Sequence, residues 1–493
     1  MIKDPDIAIL NFTLADNYEK SGNLQSATQF MHEAADTFYA LQDANYSNCL
    51  VRLGDFYAFT GELDTAIRYY EDYLEHIEYL LKQNPADIEY LLSEAVAYER
   101  IGTIMQNSGN IQLAVKNFKT YKKLIQNLNK KEPNNEDIIS NLSASYHKLG
   151  DAFQEKGNFD KAYKYFLKEN NLADLLYKAN PHELTNKYNI AISYGKIGDV
   201  LYEKGDFDYA HTHFLYSYKL FKELSECDLN NESFKSSLAI AHQNIALLYL
   251  SQKKYEKAEL HFEKMHILSK ELSENNPLSV EMKTGYAMSF ERLSTVYKSL
   301  NKTEKAKHYL ETHNRLYNSL YNEYPDDLDI KHGLATSYER LGTFSFNEED
   351  FEKALEYYYV FQKLISELFK LSPETEIFQI GSAIAYSKIG GVLFLQNKID
   401  EAAELINKSK TLFTDLYNSN PTGINTRANY AEMLIINTLI AGSKQDIKKA
   451  EKIFKKLYKQ TKSEYFDEKA KTVKTILLNF KNKDDLIIQM IYE

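Results

Sequence analysis

Apolar residues recur along this chain at spacings of three and four, in blocks separated by short polar breaks. From Glu136, the stretch EDIISNLSASYHKLGDAFQEKG sets Ile139, Leu142, Tyr146, Leu149, Gly150 and Phe153 on one stripe. That spacing predicts a helix with one buried face. Gly157 stops it, because glycine adopts positive φ without steric cost. FDKAYKYFLKENNLADLLYK then places Ala162, Tyr165, Phe166, Leu172 and Leu176 on a second stripe. Pro181 ends that helix: it has no N–H to donate, and it pushes the residue before it out of the helical region. Two helices of about 20 residues, each roughly 30 Å long, form a hairpin with one apolar side per helix. A lone hairpin cannot bury both sides, so hairpins must stack.

The same unit repeats every 48 residues. A small anchor residue stands at Gly54, Gly102, Gly150, Gly198, Ala246, Ser294, Gly342, Gly390 and Thr438. Twelve residues after each comes an alanine, from Ala66 to Ala450. Proline follows the first eight anchors at position +31, with Leu229 as the exception. A fixed period of this size means an array with one continuous core.

At this point the residues resemble the tetratricopeptide repeat family. Its pattern is an aromatic residue, Leu-Gly, Tyr, then Ala, Phe and Pro over about 34 residues. Tyr146, Leu149, Gly150, Phe153, Ala162, Phe166 and Pro181 fit it in order, as do Tyr98, Ile101, Gly102, Met105, Ala114, Phe118 and Pro133. The match runs from about Leu14 to Tyr458. The period is 14 residues longer, as if each helix had gained seven. Seven residues is close to two turns, so the buried face stays in phase. The resemblance implies an all-α, right-handed α-solenoid of about ten hairpins whose first helices line a concave groove.

The ends differ from the middle. Residues 1–42 read as a shortened capping repeat, with Ala15 as anchor, Gly22 as stop and Ala27 twelve residues on. Residues 43–460 hold the full repeats, and 461–493 read as C-terminal capping helices. The apolar stretch DDLIIQMIYE reads as a lid over the last repeat or a peptide offered to a partner. Near 229–253, Leu229 replaces proline and Ala246 replaces glycine. Beyond this point Lys253, Asn301, Glu349, Asn397 and Gln445 stand where Gly61, Gly109, Gly157 and Gly205 stand earlier. That division admits a change of superhelical geometry there, or simple sequence drift.

Composition narrows the functional classes. A net charge of −11 disfavours general nucleic-acid or anionic-membrane binding. Thirteen lysines against five acidic residues between Lys444 and Lys483 make one basic segment, read as a solvated face or a docking site for an acidic partner or nucleic acid. Two unpaired cysteines, Cys49 and Cys227, suit a reducing compartment. The N-terminus has no secretion-signal pattern and no stretch reaches 18 uninterrupted apolar residues, so the chain reads as soluble and cytoplasmic.

Candidate binding residues lie on the first-helix face opposite the core. Position −2 from the anchor holds Arg52, Arg100, Lys148, Lys196, Asn244, Arg292, Arg340 and Lys388. Position +1 holds Asp16, Asp55, Thr103, Asp151, Asp199, Leu247, Thr295, Thr343 and Gly391. Position −6 is mostly apolar: Val96, Ala144, Ile192, Ile240, Met288 and Ile384. A basic ladder beside apolar positions suits an acidic or carboxylate-bearing peptide, since the Arg fork matches a carboxylate. The competing reading is an internal salt-bridge ladder between neighbouring repeats. Thr in place of Asp leaves some cations without an obvious partner, which keeps the ligand reading open.

No phosphate-cradling loop, HExxH, paired CxxC or GxSxG motif is present. His211 and His213 are two apart on one helix and cannot share a metal from it. His213 and His261 stand where Tyr165, Tyr309 and Tyr357 stand elsewhere, which reads as packing. No catalytic residue, metal or cofactor is expected. The chain reads as a non-enzymatic scaffold or adaptor that holds a protein or peptide in its groove. The alternative is a peptide-sensing regulatory protein controlling a separate effector chain.

Overall fold

The computed structural model describes residues 4–20, 23–373, 375–419, 421, 423–441, 443–461 and 464–479. Among these residues the chain forms 21 helices and no strand. The first helices of the hairpins are α1 (Pro5–Lys20), α3 (Asn45–Phe59), α5 (Ile88–Asn107), α7 (Glu136–Glu155), α9 (Leu184–Glu203), α11 (Glu232–Ser251), α13 (Val280–Ser299), α15 (Leu328–Asn347), α17 (Glu376–Leu395) and α19 (Ile424–Ala441). The second helices are α2 (Leu24–Leu41), α4 (Leu63–Gln83), α6 (Ile111–Lys131), α8 (Phe159–Ala179), α10 (Phe207–Cys227), α12 (Tyr255–Asn275), α14 (Thr303–Glu323), α16 (Phe351–Leu371), α18 (Ile399–Ser419) and α20 (Lys444–Thr461), and α21 (Glu464–Asn479) comes last. From α5 to α18, first helices have 20 residues and second helices 21, the length the 48-residue period calls for.

The chain divides into two compact units, Met1–Glu155 and Lys156–Glu493. In the first, Ala15, Ala27, Met31, Phe38, Leu53 and Phe56 form one buried cluster, while Tyr70 packs with Ala66, Ile101 and Ile104. In the second, successive clusters run along the stack. One holds Ala246, Phe262, Val296 and Tyr297, and another Ile330, Leu334, Phe361 and Phe378.

The anchor must be small because a side chain from the second helix lies on it. A Cβ built on Gly102 would stand 2.6 Å from the Phe118 ring, and one on Gly198 2.5 Å from Phe214. Those separations exclude even alanine without rearrangement, so the glycine sets how closely the two helices approach.

Among the described residues the turn inside eight of the hairpins is left-handed at one residue, whereas Gln445, aligned with these positions by the period, lies inside α20. Gly61, Gly109, Gly157 and Gly205 have φ between 70° and 82°, and Lys253, Asn301, Glu349 and Asn397 have φ of 56° to 62°. The loss of glycine at these four later turns therefore marks no change of turn geometry. The later turns hold the same conformation with side chains that adopt it at a cost of roughly 1–2 kcal/mol. The junction at Leu229 is also regular. The Asp228 N–H donates to Leu224 O at 3.2 Å, as Asn180 donates to Leu176 O at 3.0 Å ahead of Pro181.

At the C-terminal end, Phe466, Ala470, Val473 and Ile476 of α21 bury against Phe454 and Leu457 of α20, so the described part of 461–493 covers the last hairpin. Asn437 stands where other repeats have Leu or Ile. It is buried and donates to Asp446 Oδ2 at 2.6 Å, which satisfies it. Gly22, residues 462–463 and 480–483 of the basic segment, and Asp484–Glu493 lie outside the described residues.

Candidate functional site

The cations at position −2 reach back to the repeat before them. In the first unit, Arg52 pairs with Asp16 at 2.7 Å and also with Glu19. Arg100 pairs with Asp55 at 3.3 Å, and Lys148 with Glu99 at 2.9 Å and Thr103 Oγ1 at 3.0 Å. In the second unit, Asn244 donates to Asp199 at 3.0 Å. Arg340 lies 3.6 Å from Glu291, and Lys388 pairs with Glu339 at 2.7 Å and Thr343 Oγ1 at 2.8 Å. Asp151 pairs with His147 on its own helix at 3.1 Å. Lys196 occupies the same register on α9.

The threonines do not strand their cations, contrary to the expectation from sequence. Where position +1 is Thr103, Thr295 or Thr343, position −3 is Glu99, Glu291 or Glu339. Where +1 is Asp55, Asp151 or Asp199, position −3 is Val51, His147 or Gly195. Positions −3 and +1 are four apart, so they sit one above the other on the same face. One carboxylate per repeat is delivered to the next cation from either place. The Thr103 hydroxyl completes the arrangement by donating to Glu99 Oε1 at 3.0 Å, and Thr343 does the same to Glu339. Burial favours the neutral form of Glu339, but Lys388 and Arg340 outweigh it and hold the carboxyl below its ordinary range. Burial likewise opposes the charge on Lys388, and Glu339 more than offsets it. The pair is ionised.

The ladder breaks in two places. The repeat anchored at Ala246 has Leu247 at +1 and Gln243 at −3, so it offers no carboxylate, yet the next repeat places Arg292 at −2. The repeat anchored at Gly390 has Gly391 and Ser387 at those places, and the next repeat has Ile436 at −2, which needs no carboxylate.

At this second break the first-helix face opens into a cavity of about 670 Å³ between α15, α17 and α19. Its size is that of a ligand pocket. Ile380, Ile384 and Gly391 of α17 line it, with Phe346 and Arg340 of α15 and Glu432, Met433 and Ile436 of α19. A Cβ on Gly391 would meet nothing within 4 Å, so that residue contributes the open space itself. Ile377 at the rim is 51% exposed. Lys388 crosses one side with its charge turned to Glu339 and its ammonium 5.6 Å from the Tyr358 ring. α17 is thus apolar on its core face and on its groove face, which makes it long and apolar enough by composition to cross a membrane, although 56% of that window is buried in the core. This all-round apolarity was the sequence signal for the cavity, and reading positions −2 and +1 for charge passed over it.

Elsewhere the chemistry is quiet. Cys49 is buried, and burial pushes its thiol up to about 12, which suppresses the thiolate a nucleophile needs. His213 Nδ1 lies 2.8 Å from Tyr209 O. His242 and His261, not singled out together from sequence, meet Nδ1 to Nδ1 at 2.9 Å beside Tyr218 and Tyr249. Among the described residues no group of three or more His, Cys, Asp or Glu is arranged to hold a metal ion.

Comparison with known proteins agrees with the architecture. The tetratricopeptide repeat family model matches residues 47–75, 143–168 and 239–264. No curated protein matches the sequence. Among solved structures, the apo form of the quorum sensor NprR from B. thuringiensis superposes with a TM-score of 0.50 at 14% identity, covering 72% of this chain and 87% of that one. The apo form of RapI gives a TM-score of 0.47 at 13% identity over 84% of this chain and 99% of that one. Yeast Tom70 gives 0.36 at 15% identity over 99% of both. Three segments match the family model, and the 48-residue hairpins, with Gly54, Gly102, Gly198 and Gly342 packed under second-helix rings, give this chain tetratricopeptide-like repeats with lengthened helices.

Proposed function

We propose that this chain is a non-enzymatic interaction scaffold that holds an extended segment of a protein partner along the first helices of the Lys156–Glu493 unit, with one apolar side chain of that segment in the cavity of α15, α17 and α19. The cavity carries the reading. It is a solvent-facing hollow lined by Ile380, Ile384, Met433 and Ile436, placed where the charged ladder stops. Filling it would remove apolar surface from water at about 25 cal/mol per Å². Most ladder cations already hold carboxylates of their own chain, so the ladder would fix the spacing of the repeats rather than provide most of the ligand contacts.

A second reading is a peptide-sensing regulator acting on a separate effector chain. The small volume of the hollow favours it, and so does the fold shared with a quorum sensor. One experiment tests both. A photo-crosslinking residue at Ile384 is expressed in source cells beside the same residue at Leu278, which is 85% exposed in the turn between α12 and α13. A protein adduct specific to position 384 supports the scaffold, and an adduct of only a few hundred to a few thousand daltons supports the sensor. Equal labelling from both positions would discard the cavity as the site.

A further inference from the structure

The first break in the ladder leaves one nitrogen of a partly exposed guanidinium, Arg292 Nε, short of an acceptor. In the described rungs, a cation at position −2 meets an Asp or Glu of the preceding repeat, or in Asn244 a neutral donor does so. At Arg292 the preceding repeat presents Leu247 and Gln243 instead. Among the described residues, Arg292 pairs with Glu291 of its own helix at 3.3 Å, and Glu291 is shared with Arg340. Arg292 Nε is buried with no hydrogen-bond partner, as is Arg100 Nε, but Arg100 has the Asp55 carboxylate of the preceding repeat 3.3 Å away and the repeat before Arg292 presents Leu247 and Gln243. A guanidinium N–H left without an acceptor is costly, and a carboxylate accepts from it better than water does. Apolar surface flanks the place: Ile240 is 55% exposed and Met288 40%.

We infer that Arg292 takes a carboxylate from the bound segment, an Asp or Glu side chain that replaces the one the preceding repeat lacks. This rests on the peptide-binding reading above and adds the chemistry of the ligand. A side chain is favoured over a chain terminus because the same face continues on both sides of Arg292, through Ile240 on α11 and Arg340 on α15, so a bound segment runs past it. Two repeats separate α13 from α17. With about 10 Å between neighbouring first helices and about 3.3 Å per extended residue, the acidic side chain lies about six residues from the apolar one in the cavity.

The test is a random dodecapeptide library, displayed with its C-terminus fused to the coat protein so that no free terminal carboxylate is offered. It is panned on the full chain, on Arg292→Leu, on Arg292→Lys and on Ile384→Glu. The wild type is expected to enrich Asp or Glu at a fixed spacing from Leu, Ile, Met or Phe. Arg292→Leu should lose the acidic preference about tenfold while keeping the apolar one, Arg292→Lys should keep both, and Ile384→Glu should lose the apolar preference. Apolar enrichment by the wild type without an acidic partner overturns the inference, as does an acidic preference that survives Arg292→Leu. If Arg292→Leu binds nothing, Arg292→Lys decides: retained acidic selection supports the inference, and loss with the apolar preference intact overturns it. No enrichment by the wild type over bare support overturns the peptide-binding reading itself.

Discussion

If the ladder works by delivering one carboxylate to each following cation, the carboxylate can be moved. The repeat anchored at Gly54 delivers it from Asp55 at +1, with Val51 at −3, and Tyr70 donates to Asp55 at 2.7 Å. The repeat anchored at Gly342 delivers it from Glu339 at −3, with Thr343 at +1 and Tyr358 3.2 Å from the threonine hydroxyl. Lys388 Nζ sits 2.7 Å from Glu339 and 2.8 Å from Thr343, so a carboxylate at 343 would be within reach. Glu339→Ala removes the partner of a cation whose side chain is 30% exposed. Breaking a fully buried pair costs about 3–5 kcal/mol and an exposed one about 0–1. The partial exposure of Lys388 places the loss at about 1–2 kcal/mol. Adding Thr343→Asp should return most of it. Because a repeat array does not unfold in one step, the assay is hydrogen exchange by mass spectrometry on peptides of α15 and α17. Protection should fall about 5–30-fold in Glu339→Ala and recover to within about threefold in the double variant. If Glu339→Ala leaves α17 protection unchanged, or Thr343→Asp fails to restore it, the two positions are not alternative sources of one charge.

The packing sets three further outcomes. Gly198→Ala drives a Cβ into Phe214 at 2.5 Å and should destabilise α9 and α10 by about 1–3 kcal/mol in the same exchange assay; a neutral result would mean the hairpin can splay freely. Lys253→Gly relieves a left-handed side chain at φ 56° and should stabilise the α11–α12 hairpin by about 0.5–1 kcal/mol, measured as slower local exchange, whereas a loss would show that the lysine side chain contributes more than the strain removes. Burial holds His242 at about 3 and His261 at about 4, below the ordinary imidazole value, with His261 and Lys264 adding to it at His242 and Lys264 and His211 at His261. The unfolded chain therefore takes up protons that the folded hairpin refuses, so stability is full above about pH 6.5 and falls as pH drops toward the folded values, by at most about 1.4 kcal/mol per pH unit per proton. Replacing both with Tyr, which stands at these positions in other repeats, should flatten the local stability profile between about pH 6.5 and 5, and an unchanged slope would place the sensitivity elsewhere.

The helices were legible in the sequence because each signal was local and repeated: the stripe at three and four, the stop before the second helix and the proline after it. Ile139 to Phe153 and Ala162 to Leu176 fall where the periodicity put them, in α7 and α8. The lost glycines admitted two readings, and the turns favour simple drift, because φ is set by the turn and Lys253 and Asn301 adopt it too. The site was less legible because its signals are relations between positions. Glu99, Glu291 and Glu339 sit at −3, between the groove face and the core stripe, so attention to −2 and +1 left their cations apparently unpartnered. Their role shows only when one repeat's −3 is compared with its own +1 and the next repeat's −2. The cavity needed a similar comparison. Gly391 and Ile436 are ordinary residues singly, and together they are where charge gives way to apolar surface.

The central claim is that the first-helix face of the Lys156–Glu493 unit holds an extended segment. Hydrogen exchange on the full chain, with and without a peptide selected from the displayed library, tests it most directly. The account predicts slower exchange confined to peptides of α13, α15, α17 and α19, greatest around Ile384, and abolished by Ile384→Glu. Protection on the second helices α12, α14 and α16, or on α20 and its lysines, would contradict it.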